Sequence, residues 1–134
     1  MDSDSRSPAP NPPTHDIEIN RHDNHIEVRF TGEFSPAAAM RVVDTMIAAC
    51  AEAECSHVLL DCRPMTGPLS VVDRFEVAEY GAQVIDRHIK VAMLVRPDQT
   101  LPDRFFENVA VSRGVRVKVL TEPDEAVAWL SKRG

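Results

Sequence analysis

Between residues 57 and 70 the chain reads HVLLDCRPMTGPLS, and four side chains in or just beyond it could do chemistry: Asp61, Arg63, Ser70 and Asp73. Ser70-Val71-Val72-Asp73 has the spacing of a capping box, in which a serine hydroxyl accepts a backbone N–H and the acid reaches back to the cap residue. The same hydroxyl is a phosphoacceptor candidate, because a phosphate at a helix N-terminus meets the positive end of the helix dipole. Asp61 and Arg63 could form an anion or acid/base site. They equally make a satisfied ion pair or turn anchor, since the spacing fixes no second carboxylate or histidine beside them.

Cys62 has an arginine neighbour that would favour a thiolate. A base is missing, however: His57 lies five residues earlier on the same strand and points to the opposite face. Cys50, Cys55 and His57 follow a C-x4-C-x-H spacing that matches no standard zinc pattern, and His15, His22 and His25 read as turn histidines. No catalytic residue, metal or cofactor is expected.

The elements that must position these residues follow from periodicity. Residues 17–19 and 26–30 alternate apolar and polar, with Arg21-His22-Asp23-Asn24 as turn chemistry between them, so the pair reads as an N-terminal β-hairpin. Ser35-Pro36 opens a helix whose apolar stripe is Met40, Val43, Ile47 and Cys50, ending near Cys55. Val58-Leu59-Leu60 is a buried strand, followed after a Pro/Gly turn by a helix from Ser70 with Val71, Phe75, Ala78, Ala82 and Ile85 inward. Residues 90–95, KVAMLV, form the next strand. Thr100 opens a helix that Gly114 ends, residues 115–120 alternate as a strand near an edge, and Thr121 opens a last helix burying Ala126, Trp129 and Leu130.

The expected order is ββαβαβαβα: an α/β domain with a mostly parallel sheet, an N-terminal β-hairpin and four helices. Right-handed crossovers then bring Asp61, Cys62, Arg63, Ser70 and Arg96 to one rim, where open α/β sheets place their ligands and partners. The expectation is that Asp61, Arg63 and Ser70 share one exposed patch there.

Composition bounds the function. Residues 1–16, MDSDSRSPAPNPPTHD, carry four prolines and little to bury, so they read as a disordered tail before a single domain at 17–134. The 134 residues hold 15 basic against 21 acidic side chains, a net charge of -6 that disfavours nucleic acid and anionic lipid. No apolar run approaches the roughly 20 residues that span a bilayer, and no signal pattern opens the chain. Three cysteines make a disulfide framework improbable, and a cytoplasmic protein is expected.

The element order, the LLD strand, the helix beginning at a serine and the ending GVRVKVLTEPDEAVAWL resemble the STAS family, the SpoIIAA-like or anti-sigma factor antagonist fold, in particular its small bacterial members. The resemblance covers roughly residues 17–132. It implies a non-catalytic regulatory module that meets a protein partner through the strand-to-helix edge, at residues 61–74 here. Ser70 matches the family's phosphoacceptor region and Asp61 the polar residue closing the preceding strand. Where the family has Asp-Ser-Ser-Gly, this chain has Leu69-Ser70-Val71-Val72. Lipid-binding relatives of the fold suggest an alternative, a small apolar or acyl ligand held near Phe105, Phe106 and Trp129 between the last two helices and the sheet. The strand at 115–120 also leaves an edge able to pair across a homodimer.

Overall fold

A computed structural model describes residues 15–67, 70–99 and 105–132. The expected tail falls outside them except for His15 and Asp16, which already belong to the first strand. β1 (His15–Arg21) and β2 (Ile26–Glu33) form the antiparallel hairpin, with Ile17 paired to Phe30 and Ile19 to Val28. Alternation along β2 buries Ile26, Val28 and Phe30 and turns Glu27 and Arg29 to the other face.

From β2 onward the chain repeats one step. α1 (Pro36–Ala53) leads to β3 (His57–Asp61), α2 (Val71–Val84) to β5 (Lys90–Leu94), and α3 (Phe105–Ser112) to β6 (Arg116–Leu120). The sheet order is β1-β2-β3-β5-β6, parallel from β2 on. Three right-handed crossovers that all step the same way put their helices on one face. Accordingly Val42, Met46, Ala49 and Cys50 of α1, Ala78 of α2 and Ala110 of α3 share one core with Val28, Val58, Leu60, Val91, Val117 and Val119.

α4 (Pro123–Ser131) covers the other face. Its Ala126 and Leu130 pack with Leu59, Ala92, Leu94 and Leu120, the strand residues of opposite parity. Lys90 is 2% exposed, and its ammonium donates to the carbonyls of Trp129 (2.6 Å) and Lys132 (2.7 Å). It also lies 4.5 Å above the Trp129 ring. A cation on the carbonyls at a helix C-terminus is favoured by both hydrogen bonding and the helix dipole.

Caps explain the helix ends. Ser35 Oγ accepts from the Ala38 amide at 3.1 Å with Pro36 at the first helical position, as the sequence predicts. α3 ends in a Schellman motif: the Gly114 amide donates to Val111 O and the Val115 amide to Ala110 O, with Gly114 at φ 96°. The expected Thr121 cap is not formed. Pro123 takes the first helical position, which makes Glu122 the cap residue, and Glu122 makes no side-chain cap bond. The expected cap at Thr100 lies outside the described residues.

The Pro/Gly turn after β3 contains one element absent from the expected order. β4 (Met65–Thr66) pairs in parallel with Gly32 and Glu33 of β2. There β2 outruns β3, so its last residues are free to take this short strand, and the Phe34 amide closes it on Thr66 O at 2.8 Å. Gly67 then turns the chain at φ 95°, and a Cβ there would stand 3.1 Å from Glu33 Cγ. No described helix is long and apolar enough to cross a membrane.

Candidate functional site

Parallel pairing sets Asp61, the last residue of β3, opposite Arg29 of β2. Asp61 is only 1% exposed, because it lies on the α4 face of the sheet at the end of a strand paired on both sides. Arg63 grips it bidentately, Nε to Oδ1 and Nη2 to Oδ2 at 3.0 Å each, and the Arg63 amide donates to Oδ1 at 3.0 Å. Arg29 Nε adds a bond to Oδ2 at 3.3 Å. Burial alone would push the Asp61 carboxyl up, but the hydrogen bonds from Arg63 and the charges of Arg63 and Arg29 outweigh it and hold the group below its ordinary value. Asp61 is thus an ionised, fully engaged anchor.

The segment after β3 is clamped from the next strand's exit. Arg96 Nη1 donates to the carbonyls of Arg63 and Met65, and Gln99 Nε2 to those of Cys62 (2.8 Å) and Met65 (3.3 Å). Gln99 Oε1 accepts from the Arg96 amide at 2.6 Å, closing the short 3-10 turn Pro97–Gln99. Sequence reasoning named Arg96 but missed Gln99 and Arg29. Arg29 carried a signal, as an outward cation on the strand beside Asp61, whereas PDQT around Gln99 is ordinary loop composition.

Ser70 is exposed and caps α2, with Oγ accepting from the Asp73 amide at 3.0 Å. Among the described residues neither Asp61 nor Arg63 bonds to it. The single exposed patch of Asp61, Arg63 and Ser70 is therefore corrected: Asp61 is enclosed, while Ser70, Arg63 and Asp73 keep at least part of their surface.

α2 keeps the expected Ala78, Ala82 and Ile85 against the core but turns the expected Val71 and Phe75 outward, and this defines the surface beside Ser70. Its buried residues are Val77, Ala78 and Gly81, with Arg74 and Ile85 half-buried on the same stripe. Arg74 occupies the inward position of the first turn, where its Nε is buried and unpartnered and burial pulls the guanidinium below its ordinary value. Val71, Val72 and Phe75 are consequently turned out, at 52%, 69% and 37% exposure. Arg113, in the turn after α3, stacks its guanidinium 5.2 Å from the Phe75 ring and pairs with Glu79 at 2.8 Å.

The remaining candidates separate. The alternative pocket fails on topology: α3, which carries Phe105 and Phe106, packs on the β face opposite α4, which carries Trp129. Phe105 and Phe106 side chains lie outside the described residues, and Trp129 packs on the α4 core beneath Lys90. Cys62 is buried, and its burial, with Asp61 beside it, pushes the thiol up to about 12, which removes it as a nucleophile. Cys50 is likewise pushed up to about 11 by burial. No cluster of three metal-ligating side chains exists among the described residues.

No protein-family model matches the sequence, and neither does any curated protein. Solved structures do. An anti-sigma factor antagonist from Mycobacterium paratuberculosis superposes with a TM-score of 0.62 at 13% identity, covering 88% of this chain and 95% of its own. An uncharacterised protein from Shewanella loihica with a SpoIIAA-like fold gives a TM-score of 0.56 at 18% identity, covering 91% of this chain and 98% of its own. At such identities the likeness is one of architecture, and it extends over nearly the whole of each chain. Six strands with an antiparallel first pair, three helices on one face and a fourth on the other give this chain the SpoIIAA-like, STAS-type fold.

Proposed function

We propose that this chain is a non-catalytic regulatory module that engages a protein partner through the strand-to-helix edge within residues 61–74. The observation that carries the reading is the outward set of Val71, Val72 and Phe75 around the exposed Ser70 cap. Three sizeable apolar side chains exposed in the first turns of one helix lose free energy in water and gain it against a complementary surface. The start of the loop leading to them, residues 62–65, is held by Arg96 and Gln99, which supports a surface anchored at that end. One solved structure with this fold is an anti-sigma factor antagonist, a name that describes action on another protein. The inert state of Cys62 and the saturated Asp61 speak against catalysis at the same rim.

Ser70 has a second use in this reading. A phosphate on its hydroxyl would remain compatible with the helix N-terminus yet add nearly two negative charges amid the exposed valines. The test is affinity capture with the intact protein, Val72→Asp and Ser70→Glu, followed by mass spectrometry. A partner held by the intact protein and lost with Val72→Asp supports the surface, and its loss with Ser70→Glu supports the switch. An identical set of captured proteins for all three overturns both. Ser70→Ala serves as the folding control, costing about 1 kcal/mol through the lost cap.

A further inference from the structure

The two margins of the sheet are treated differently. At β6, the Val119 amide donates to Glu107 Oε2 of α3 at 2.9 Å, so a carboxylate already occupies a backbone donor of that edge. At β1, the seven residues His15–Arg21 have β2 on one side and, among the described residues, no strand on the other. The register shows which groups are open. His22 N–H donates to His25 O at 2.9 Å, so the 22/25 pair is a hydrogen-bonded one. Such pairs alternate along an antiparallel ladder, so Asn20 and Glu18 bond to β2 while Ile17, Ile19 and Arg21 turn their N–H and C=O groups outward.

We propose that this edge pairs with the same edge of a second copy, antiparallel, about a two-fold axis through Ile19. Registers with the axis through Ile17, Glu18, Ile19 or Asn20 all bring outward groups together; the Ile17 axis opposes Asp16 to Glu18, and the Asn20 axis opposes Ile19 to Arg21. An axis through Glu18 would set Glu18 against its own copy, a like-charge pair that destabilises a ladder. An axis through Ile19 instead sets Ile19 against Ile19, Glu18 against Asn20 and Asp16 against His22, with bonds available between residue 17 and residue 21 of the other copy. The apolar contact of Ile19 with Ile19, with no like charges opposed, thus selects one register. Ile19 is 46% exposed in the single chain, unusual for an isoleucine beside a core, and this pairing covers it. A cleft of about 240 Å³ between β1 and α1, lined by Ile19, Ile26, Ala48 and Ala49, opens at the same edge and is rimmed by Arg21 and Glu52. In this register Ile17 of the second copy stands opposite Arg21, at that rim. The pairing is independent of the α2 surface, because α2 packs between α1 and α3 whereas β1 is the margin of the sheet.

Sedimentation of the intact chain across a wide concentration range tests the association. The expected result is a mass rising with concentration toward twice 14.9 kDa, with Ile19→Lys raising the dissociation constant at least about tenfold at unchanged far-UV circular dichroism. A single-chain mass at every concentration overturns the proposal, as does a dimer that Ile19→Lys leaves intact. Register is read by disulfide trapping in a Cys55→Ser background. Hydrogen-bonded antiparallel pairs place Cα atoms about 5.5 Å apart, within disulfide reach, so Ile19→Cys with diamide as the two-electron oxidant should give an interchain disulfide and Ile17→Cys should not. Trapping only when Ile17→Cys and Ile19→Cys chains are mixed would indicate the Glu18 axis and overturn the register proposed.

Discussion

Asp61 and Arg29 stand directly opposite each other across β3 and β2, joined at 3.3 Å, and Arg63 closes on the same carboxylate from the strand's own exit. One buried carboxylate thereby fastens β2, β3 and the loop that leads toward Ser70. Its stability contribution depends on charge. Since the folded state holds the carboxyl below its unfolded value, the contribution is complete above the unfolded value of 3.8 and is lost as pH falls through the folded one. Asp61→Ala removes three arginine side-chain bonds and leaves the Arg63 amide without its acceptor, but both arginines can still reach water. The expected loss is about 2–3 kcal/mol at neutral pH, measured by urea unfolding, with the gap to the unsubstituted protein narrowing below pH 3.8. An equal gap at acid and neutral pH would show that the carboxylate's charge plays no part.

Lys90 offers a second buried charge with a different task. Its ammonium closes the carboxyl end of α4 through Trp129 O and Lys132 O, and among the described residues α4 is the helix that covers the second face of the sheet. Lys90→Met keeps the apolar stem but removes both of these bonds, leaving Trp129 O with the Lys132 amide alone. The expected cost is about 1–3 kcal/mol, together with a shift in the emission of Trp129, the single tryptophan, as the cation leaves its ring. Unchanged emission and stability would mean that the helix end is satisfied without the cation.

The histidines at the hairpin end predict a sensitivity to mild acid. Burial, then the neighbouring His22, lower His25 below 6.5, with Glu27 opposing and His57 adding to the fall. Burial, then Lys90 and Arg116, lower His57. For both, the unfolded chain binds protons more readily than the folded one, so stability is lost as pH falls below 6.5 toward the folded values. Thermal midpoints should drop between pH 7 and pH 5, and His57→Gln should flatten part of that drop. A midpoint independent of pH in this window contradicts the assignment.

How much could be read in advance depends on whether a feature is local. The hairpin, the Ser35 and Ser70 caps and the Gly114 stop are set by neighbours in sequence, and they are found as expected. The first turn of α2 is less local: the expected stripe holds at Ala78, Ala82 and Ile85, but Arg74 rather than Val71 or Phe75 takes the inward place before them, where it buries its stem. The side of the sheet taken by α3 and α4 depends on strand order, which no single segment encodes, and so the supposed Phe105–Trp129 pocket dissolved. Asp61 looked like a rim residue because it ended an apolar strand. Its burial follows from its place on the α4 face of a strand paired on both sides, and its charge is met in part by Arg29, 32 residues away.

The three cysteines give a prediction that bears on catalysis. Cys50 and Cys62 are buried with thiols pushed to about 11 and about 12, whereas Cys55 follows the left-handed Glu54 cap of α1 and keeps part of its surface. Thiolate is the reactive form, so at pH 8 iodoacetamide should modify Cys55 alone in the folded protein and all three residues after denaturation. Peptide mass spectrometry distinguishes the sites. Rapid native modification of Cys62 would reveal an accessible, activated thiol at the end of β3, and the non-catalytic reading of that rim would then fail. Selective modification of Cys55 leaves the exposed start of α2 as the feature to be explained, and an apolar surface without a nucleophile beside it is suited to holding a partner rather than transforming a substrate.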